Sequence, residues 1–363
     1  MAYKKYTLPE YPQISDMWEE LKEKDHPVVV YGMGNGADKL FDRLAAYGIT
    51  PAAVFASDGF VRGHSYRGMR VLSFGEVRER FSDFTILLSF ATRLPEVIDQ
   101  LRSIDEKYDM YVPDMPVAGE DEYFDRTFYN EHYEEIRSAY DALADDESKN
   151  AFCAIIRYKL SGRMEYLLNC HSTKDEMYSL LPCEGISTVA DLGAYNGDTL
   201  KEAREYFPSL AECIAVEPDP RTFRRLERYV ATVGDVRVRC IRAAVSDVVG
   251  EGVIRASGNR NSTVSATASH EYREEDVPLI TLDSLNIEPD YIKYDVEGEE
   301  LAALIGSDET ICRCRPSLLV SLYHRSRDIF ALINYLAVSY PDYRLYLRRL
   351  FCLPAWEINL ILT

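Results

Sequence analysis

The sequence lacks any apolar stretch long enough to cross a bilayer, and its first thirty residues hold no uninterrupted hydrophobic segment of the kind a secretion signal needs. Export and membrane insertion are therefore not expected, and a cytoplasmic location is. Positive charge is also scarce. The 41 Lys and Arg face 60 Asp and Glu, a net charge of -19, which repels polyphosphate backbones and anionic lipid surfaces. Neither nucleic acid nor a membrane is expected as a partner. The two arginine groups present, Arg344, Arg348 and Arg349, and Arg221, Arg224, Arg225 and Arg228, read as solvated faces. No C-x-x-C occurs among the eight cysteines, so they read as reduced thiols of a protein core. Cys312 and Cys314 alone make too small a donor set for a metal, and none is assigned.

What is present is ordinary globular composition, 47% hydrophobic and 28% charged over 363 residues. That is longer than one core usually serves. Apolar, β-rich runs alternate with helical patterns from Val28 to Val112: Val28 to Tyr31, Ala53 to Ala56, Thr85 to Ser89 and Asp109 to Val112. Such alternation predicts a parallel sheet covered by helices. Between Gly119 and Glu147 the chain turns acidic, yet Tyr129, Tyr133, Ile136, Tyr140 and Leu143 keep the stripe of one amphipathic helix. A further helical stretch follows from Ser148 to Leu168. From Ser187 the alternation resumes, with strands expected at Thr188 to Leu192, Cys213 to Val216, Val236 to Ile241, Tyr291 to Val296 and Leu318 to Tyr323. Two closing runs, Tyr343 to Leu347 and Trp356 to Leu362, leave no room for a helix between them and should pair antiparallel. The fold class is α/β, with two Rossmann-like units (1–118 and 181–363) joined by a helical connector (119–180).

The chemistry-bearing motifs sit at the strand ends of the second unit. In Val189 to Thr199 a strand runs into Asp191, and Gly193 and Gly197 bend the chain into a helix near Asp198. Glu217 ends the next strand twenty residues after Gly197, where a carboxylate accepts hydrogen bonds from ribose hydroxyls. The glycine loop carries no Lys or Arg for a phosphate, while Asp191 stands where a cation would come. That combination fits an aminoacyl sulfonium better than a dinucleotide. Ser246 and Asp247 fall at the expected edge of an adenine pocket, and Lys293, Asp295 and Glu297 share one face of a strand end, costly to bury and so expected in a crevice. The polar segment from Gly250 to Pro278, with GlyAsnArgAsnSerThrValSer, is a candidate lid.

These stretches together (DLGAYNGDT, AVEPDPRTFRRLE, RAAVSD, TLDSL, YIKYDVEGEE and RPSLLVSLYH) resemble the FkbM-type S-adenosylmethionine-dependent methyltransferases, from about Asp145 to the C-terminus. The resemblance implies a class I methyltransferase fold with a terminal antiparallel hairpin, and O-methylation of a sugar, glycan or related small metabolite. It implies cofactor contacts at Asp191, Gly193, Tyr195, Gly197, Thr199, Glu217, Ser246, Asp247 and Asp295. The proton acceptor is sought among His324, Asp295 and Glu297, with Lys293 placed to lower the acceptor's pKa. A divalent ion shared by Asp295, Glu297 and His324 is the alternative.

Val30 to Ala37 also fits G-x-G-x-x-A after a strand, with Gly32, Gly34 and Gly36, and Asp58 follows Ala37 by twenty-one residues. The β/α pattern ends too soon after it for an oxidoreductase. This first unit reads as an accessory binding or dimerisation module, open to NAD or a nucleotide-sugar. A nucleotide-binding regulatory protein without methyl transfer is therefore the second reading of the chain, and a homodimer is considered for either.

Overall fold

The computed structural model describes residues 4–10, 16–57, 59, 61, 63, 65–119, 122–256, 263–264 and 273–363. The N-terminal part runs α1 (Met17–Lys22), β1 (Val28–Tyr31), α2 (Asn35–Ala46), β2 (Ala53–Ala56), β3 (Ser65–Tyr66), β4 (Met69–Ser73), α3 (Phe74–Arg80), β5 (Thr85–Leu88), α4 (Pro95–Asp105) and β6 (Asp109–Tyr111). Its sheet has the order β3-β4-β2-β1-β5-β6, parallel except for the β3–β4 pair. β1 and β5 are buried at every residue, as strands covered on both faces must be. The sequence reading missed β4 and α3. Met69–Ser73 mixes Arg and Ser with its apolar residues, and α3 is fixed instead by a capping box between Ser73 and Glu76.

The connector holds α5 (Arg126–Glu131), α6 (Tyr133–Ala142), α7 (Asp146–Ser161), α8 (Glu165–Leu168) and α9 (Lys174–Tyr178). The single stripe expected from Tyr129 to Leu143 is two helices, because His132 leaves helical geometry (φ -107, ψ 16) between them. Its ring lies 4.6 Å from Phe128 and 5.2 Å from Phe330. α7 starts on an Asp145 cap and stops at left-handed Gly162. Ten of its sixteen residues are buried, so it is a core helix rather than a surface one.

The C-terminal part runs β7 (Thr188–Leu192), α10 (Asp198–Tyr206), β8 (Glu212–Val216), α11 (Pro220–Val230), β9 (Arg237–Ile241), β10 (Ala244–Val245), β11 (Gly250–Ala256), β12 (Thr263–Val264), β13 (Arg273–Ile280), β14 (Tyr291–Tyr294), α12 (Glu300–Ile305), α13 (Asp308–Cys314), β15 (Ser317–Ser321), α14 (Asp328–Ser339), β16 (Leu345–Arg349) and β17 (Ile358–Leu362). The main sheet has the order β16-β17-β15-β14-β7-β8-β9. β17 slots antiparallel between β15 and β16. The chain thus closes by filling an inner position of the sheet.

Three expectations are corrected. The segment from Gly250 to Pro278 is not simply a loop: β11 and β13 pair antiparallel from Gly250 with Leu279 to Ala256 with Arg273. Most of GlyAsnArgAsnSerThrValSer, and with it the proposed lid, lies outside the described residues. Arg348 and Arg349 are not a solvated face either. Arg348 is buried on Asp145 and Glu147 (2.7 and 3.2 Å), and Arg349 is wholly buried, donating to the carbonyls of Leu167, Cys170, Leu350 and Cys352. The other group, on α11, is exposed as expected at Arg221, Arg224, Arg225 and Arg228. Finally, the cysteines are all free thiols but not all core: Cys153, Cys170, Cys213 and Cys352 are buried, whereas Cys312 is exposed. No helix among the described residues is long and apolar enough to cross a membrane.

One buried apolar cluster runs through both large sheets, from Val29 and Ile86 through α7 to Leu192, Ile292 and Leu360. The strand ends of the second sheet meet in a cleft above this shared core.

Candidate active site

The loop after β7 turns sharply. Gly193 and Gly197 have φ of 92° and 91°, and Tyr195 is itself left-handed at 46°. A Cβ on Gly193 would strike the carbonyl oxygen of Asp295, and one on Gly197 would strike the Tyr229 ring. The sequence suggested that these glycines admit a ligand; the structure shows that they also admit the protein's own neighbouring strand end and helix, and that Gly193 lines the cleft described below.

Glu217 follows β8 and is almost fully buried. Its carboxylate accepts from the Tyr195 N–H (2.9 Å) and the Asp219 N–H (2.8 Å), which fixes its direction. Burial pushes its pKa up to about 8 although those two hydrogen bonds act the other way. The group is poised for further donors.

Past β14, Asp295 receives the Tyr323 hydroxyl (2.9 Å) and the Lys293 ammonium (3.1 Å). Burial opposes its charge, but Lys293 and His324 outweigh burial and hold its pKa well below the usual carboxylate range. Lys293 also donates to the Thr199 hydroxyl (3.0 Å). Its strand partner Asp191 is completely buried, with both oxygens lacking a hydrogen bond, and burial lifts it to about 7 against the pull of Lys293. His324 is buried with Nε2 3.5 Å from Asp295 and 3.7 Å from Glu297, and Nδ1 2.9 Å from Glu300. Burial favours the neutral ring, yet the three carboxylates win and raise its pKa to about 10.

Glu300 was not singled out in the sequence. Its Oε1 accepts from the Val296 and Gly298 N–H groups (2.9 and 3.3 Å), so it clasps the turn on which Glu297 sits in left-handed conformation (φ 55°). The signal was only an i,i+3 acid pair at a helix start.

These elements enclose a cleft of about 750 Å³, counting the space open to solvent. Val216, Pro218 and Ala243 to Val245 give its lining an apolar part, and Asp198, Glu217, Asp295, Glu297 and Glu299 an acidic one, with Gly193, Tyr195 and Tyr323 also in the wall. Among the described residues lining it there is no Lys or Arg.

Residues 191–350 match the family model described as Methyltransferase FkbM domain. That stretch of the chain is similar to FkbM methyltransferase domains. The crystal structure of methyltransferase FkbM from Methylobacillus flagellatus KT is similar over 99% of this chain and 94% of that one, at 19% identity and a TM-score of 0.70, and so shares the fold. A precorrin-6y C5,15-methyltransferase from Geobacter metallireducens GS-15 aligns at 12% identity over 52% of this chain and 85% of that one, TM-score 0.32. A SAM-dependent methyltransferase from Aquifex aeolicus aligns at 12% over 52% and 89%, TM-score 0.30. No curated protein sequence matches the chain. A match to that domain implies S-adenosylmethionine-dependent methyl transfer.

In the matched stretch the expected residues divide. Gly193, Tyr195, Glu217, Asp295 and Glu297 line the cleft; Asp191, Gly197, Thr199, Lys293, Ser246, Asp247 and His324 do not. Asp191 is wholly buried beside Lys293 on the adjacent strand. Ser246 donates its N–H to Ile280 (2.8 Å) at the start of the small β11–β13 sheet, so the apolar part falls to the residues before it. Lys293 is engaged with Thr199 and Asp295 rather than facing an acceptor. Among the described residues no three His, Cys, Asp or Glu side chains are arranged to hold a metal. In the N-terminal loop a Cβ on Gly32 or Gly36 would collide with Ser89, while Gly34 faces open space. Asp58 lies outside the described residues, and neither the first cleft nor a second one near Arg325 is lined by Gly32, Gly34 or Gly36.

Proposed function

We propose that this cleft holds S-adenosylmethionine and that the enzyme transfers its methyl group to a hydroxyl oxygen of a sugar, glycan or related small metabolite. The observation that carries the reading is the charge of the cleft: five lining carboxylates, no lining base, and an apolar part beside Glu217. A dinucleotide's pyrophosphate would be repelled there, whereas a cationic sulfonium with an ammonium group is welcome. Glu217, aimed by two backbone N–H groups, takes the ribose hydroxyls. Val216 and Ala243 to Val245 supply the surface for an adenine ring.

When bound, the cofactor supplies a methyl carbon already activated by the positive sulfur. The protein's task is alignment and removal of one proton. His324, as an imidazolium, has no nitrogen lone pair to accept it, and Asp295 is too weak a base beside Lys293 and Tyr323. Glu297, at the cleft wall with His324 behind it, receives the hydroxyl proton as the oxygen bonds to carbon. His324 and Lys293 compensate the negative charge of Asp295 beside it.

The test combines calorimetry with S-adenosylhomocysteine and transfer of labelled methyl to a panel of glycans and nucleotide-sugars. Wild type should give binding heat and a base-stable methyl ether. Glu217→Ala should weaken binding roughly 10- to 200-fold, the loss of one hydrogen bond to a charged group. Label recovered only on nitrogen, carbon or a carboxylate would overturn the O-transfer reading.

A further inference from the structure

A second cleft, about 1220 Å³ counting the space open to solvent, lies where the N-terminal sheet unit, the connector and the start of α14 meet, and Arg43, Tyr123, Phe128, His132, Arg325 and Arg327 line it. Its wall toward the first cleft is one ion pair thick. Glu299 lines the first cleft and Arg325 the second, joined at 2.7 Å, and Arg325 also donates to the Gly298 carbonyl at 2.6 Å. The arrangement is braced from the N-terminal side. Lys39 of α2 holds the carbonyls of Pro116 and Val117 (2.7 and 3.0 Å), and the Ala118 N–H donates to the His324 carbonyl (2.8 Å).

We propose that this second cleft is the acceptor-binding site, that it takes a neutral polyhydroxylated molecule, and that the hydroxyl to be methylated reaches Glu297 past the Arg325–Glu299 pair. This rests on the methyltransferase reading above and assigns the N-terminal unit a part in acceptor recognition.

The ligand class follows from how the charges are paired. Arg43 is held by Asp125 (2.9 Å), Arg327 by both oxygens of Glu122, and Arg325 by Glu299. Each guanidinium therefore arrives with its own carboxylate, and the surface offers donors and acceptors side by side with little net charge. A hydroxyl both donates and accepts, so a row of hydroxyls can span such pairs without breaking them. A phosphate or carboxylate would have to displace an acid from its arginine and would face Glu131 as well. Phe128 adds a flat apolar surface, and the Tyr123 ring, 4.0 Å under the Arg43 guanidinium, adds a rigid one for the C–H face of a ring.

Saturation-transfer NMR on the S-adenosylhomocysteine complex of the full chain tests this, with cellotriose, maltotriose and chitotriose as neutral probes and UDP-glucose as the anionic one. At least one neutral trisaccharide should receive saturation, and Arg327→Ala and Tyr123→Ala should each weaken its affinity about tenfold, one lost charged hydrogen bond or stacking surface. Calorimetry with S-adenosylhomocysteine should read the same for both variants and wild type. Saturation of UDP-glucose alone, equal transfer in the variants, or no transfer to any probe while S-adenosylhomocysteine binds normally each overturns the acceptor site and leaves the methyl-donor reading standing. Absence of S-adenosylhomocysteine binding in wild type instead takes down both.

Discussion

Burial would keep His324 neutral, but Glu300, Glu297 and Asp295 carry its pKa from 6.5 to about 10, and this sets the pH behaviour of the protein. The folded state holds a proton that the unfolded chain releases, so the stability His324 lends is complete below about 6.5 and lost as pH climbs through about 10. Glu217 and Asp191, raised by burial to about 8 and about 7, act with the same sign: they cost increasing stability as pH rises above their ordinary values. Asp295, depressed, gives stability that is lost as pH falls through its usual 3.8. Urea midpoints should therefore peak in mildly acidic solution, at about pH 5, and decline toward pH 10. A midpoint that rises between pH 6 and 9 would contradict these assignments. Because ribose hydroxyls stabilise the ionised carboxylate, S-adenosylhomocysteine binding near pH 7 should release protons, seen as a binding heat that varies with the buffer's ionisation heat. Glu217→Gln should reduce that dependence; proton uptake would count against it. Glu300→Gln should lower the pH at which His324 titrates by NMR and slow transfer about tenfold or more through the loosened Val296 to Gly298 turn. An unchanged titration would remove the positioning role of Glu300.

At the scale of elements, the C-terminal hairpin is pinned by arginines that a sequence reading takes for surface. Arg349 satisfies four backbone carbonyls contributed by α8, the loop after it and the β16–β17 turn, and burial draws its pKa down to about 10. Arg349→Leu should cost at least about 3 kcal/mol, since each stranded carbonyl costs about 1–3 kcal/mol. Urea denaturation of the variant checks it, and a loss below about 1 kcal/mol would mean that water replaces the guanidinium. The same element shows why hydropathy misled. A buried cation is stable here only because distant carbonyls converge on it, and local pattern carries no trace of them. His132 is a similar case. The stripe from Tyr129 to Leu143 keeps helical periodicity across it, yet the helix breaks at His132, whose ring packs against Phe330 on α14.

For the whole molecule, the continuous core through both sheets and contacts such as Arg93 with Glu357 (2.7 Å) and the Thr92–Leu353 bridge predict one cooperative thermal transition. Differential scanning calorimetry resolving two independent transitions would refute that coupling. The strands of both large sheets apart from β3 and β4, and the start of α10, were legible because alternating apolar runs and glycine turns are written locally, as at Val28, Thr188 and Asp198. Glu217 and Asp295 were legible as well, since a carboxylate closing a strand is a positional signal. What the chain order determined by itself was the α/β plan, the motif sequence and the acids at the strand ends. Only the tertiary structure decided which of those acids face the cleft, that Asp191 is buried beside Lys293, that β17 takes an inner place, and that the pKa of His324 is raised. Each depends on groups far apart in sequence brought within a few ångströms, where burial and neighbouring charge set protonation and exposure.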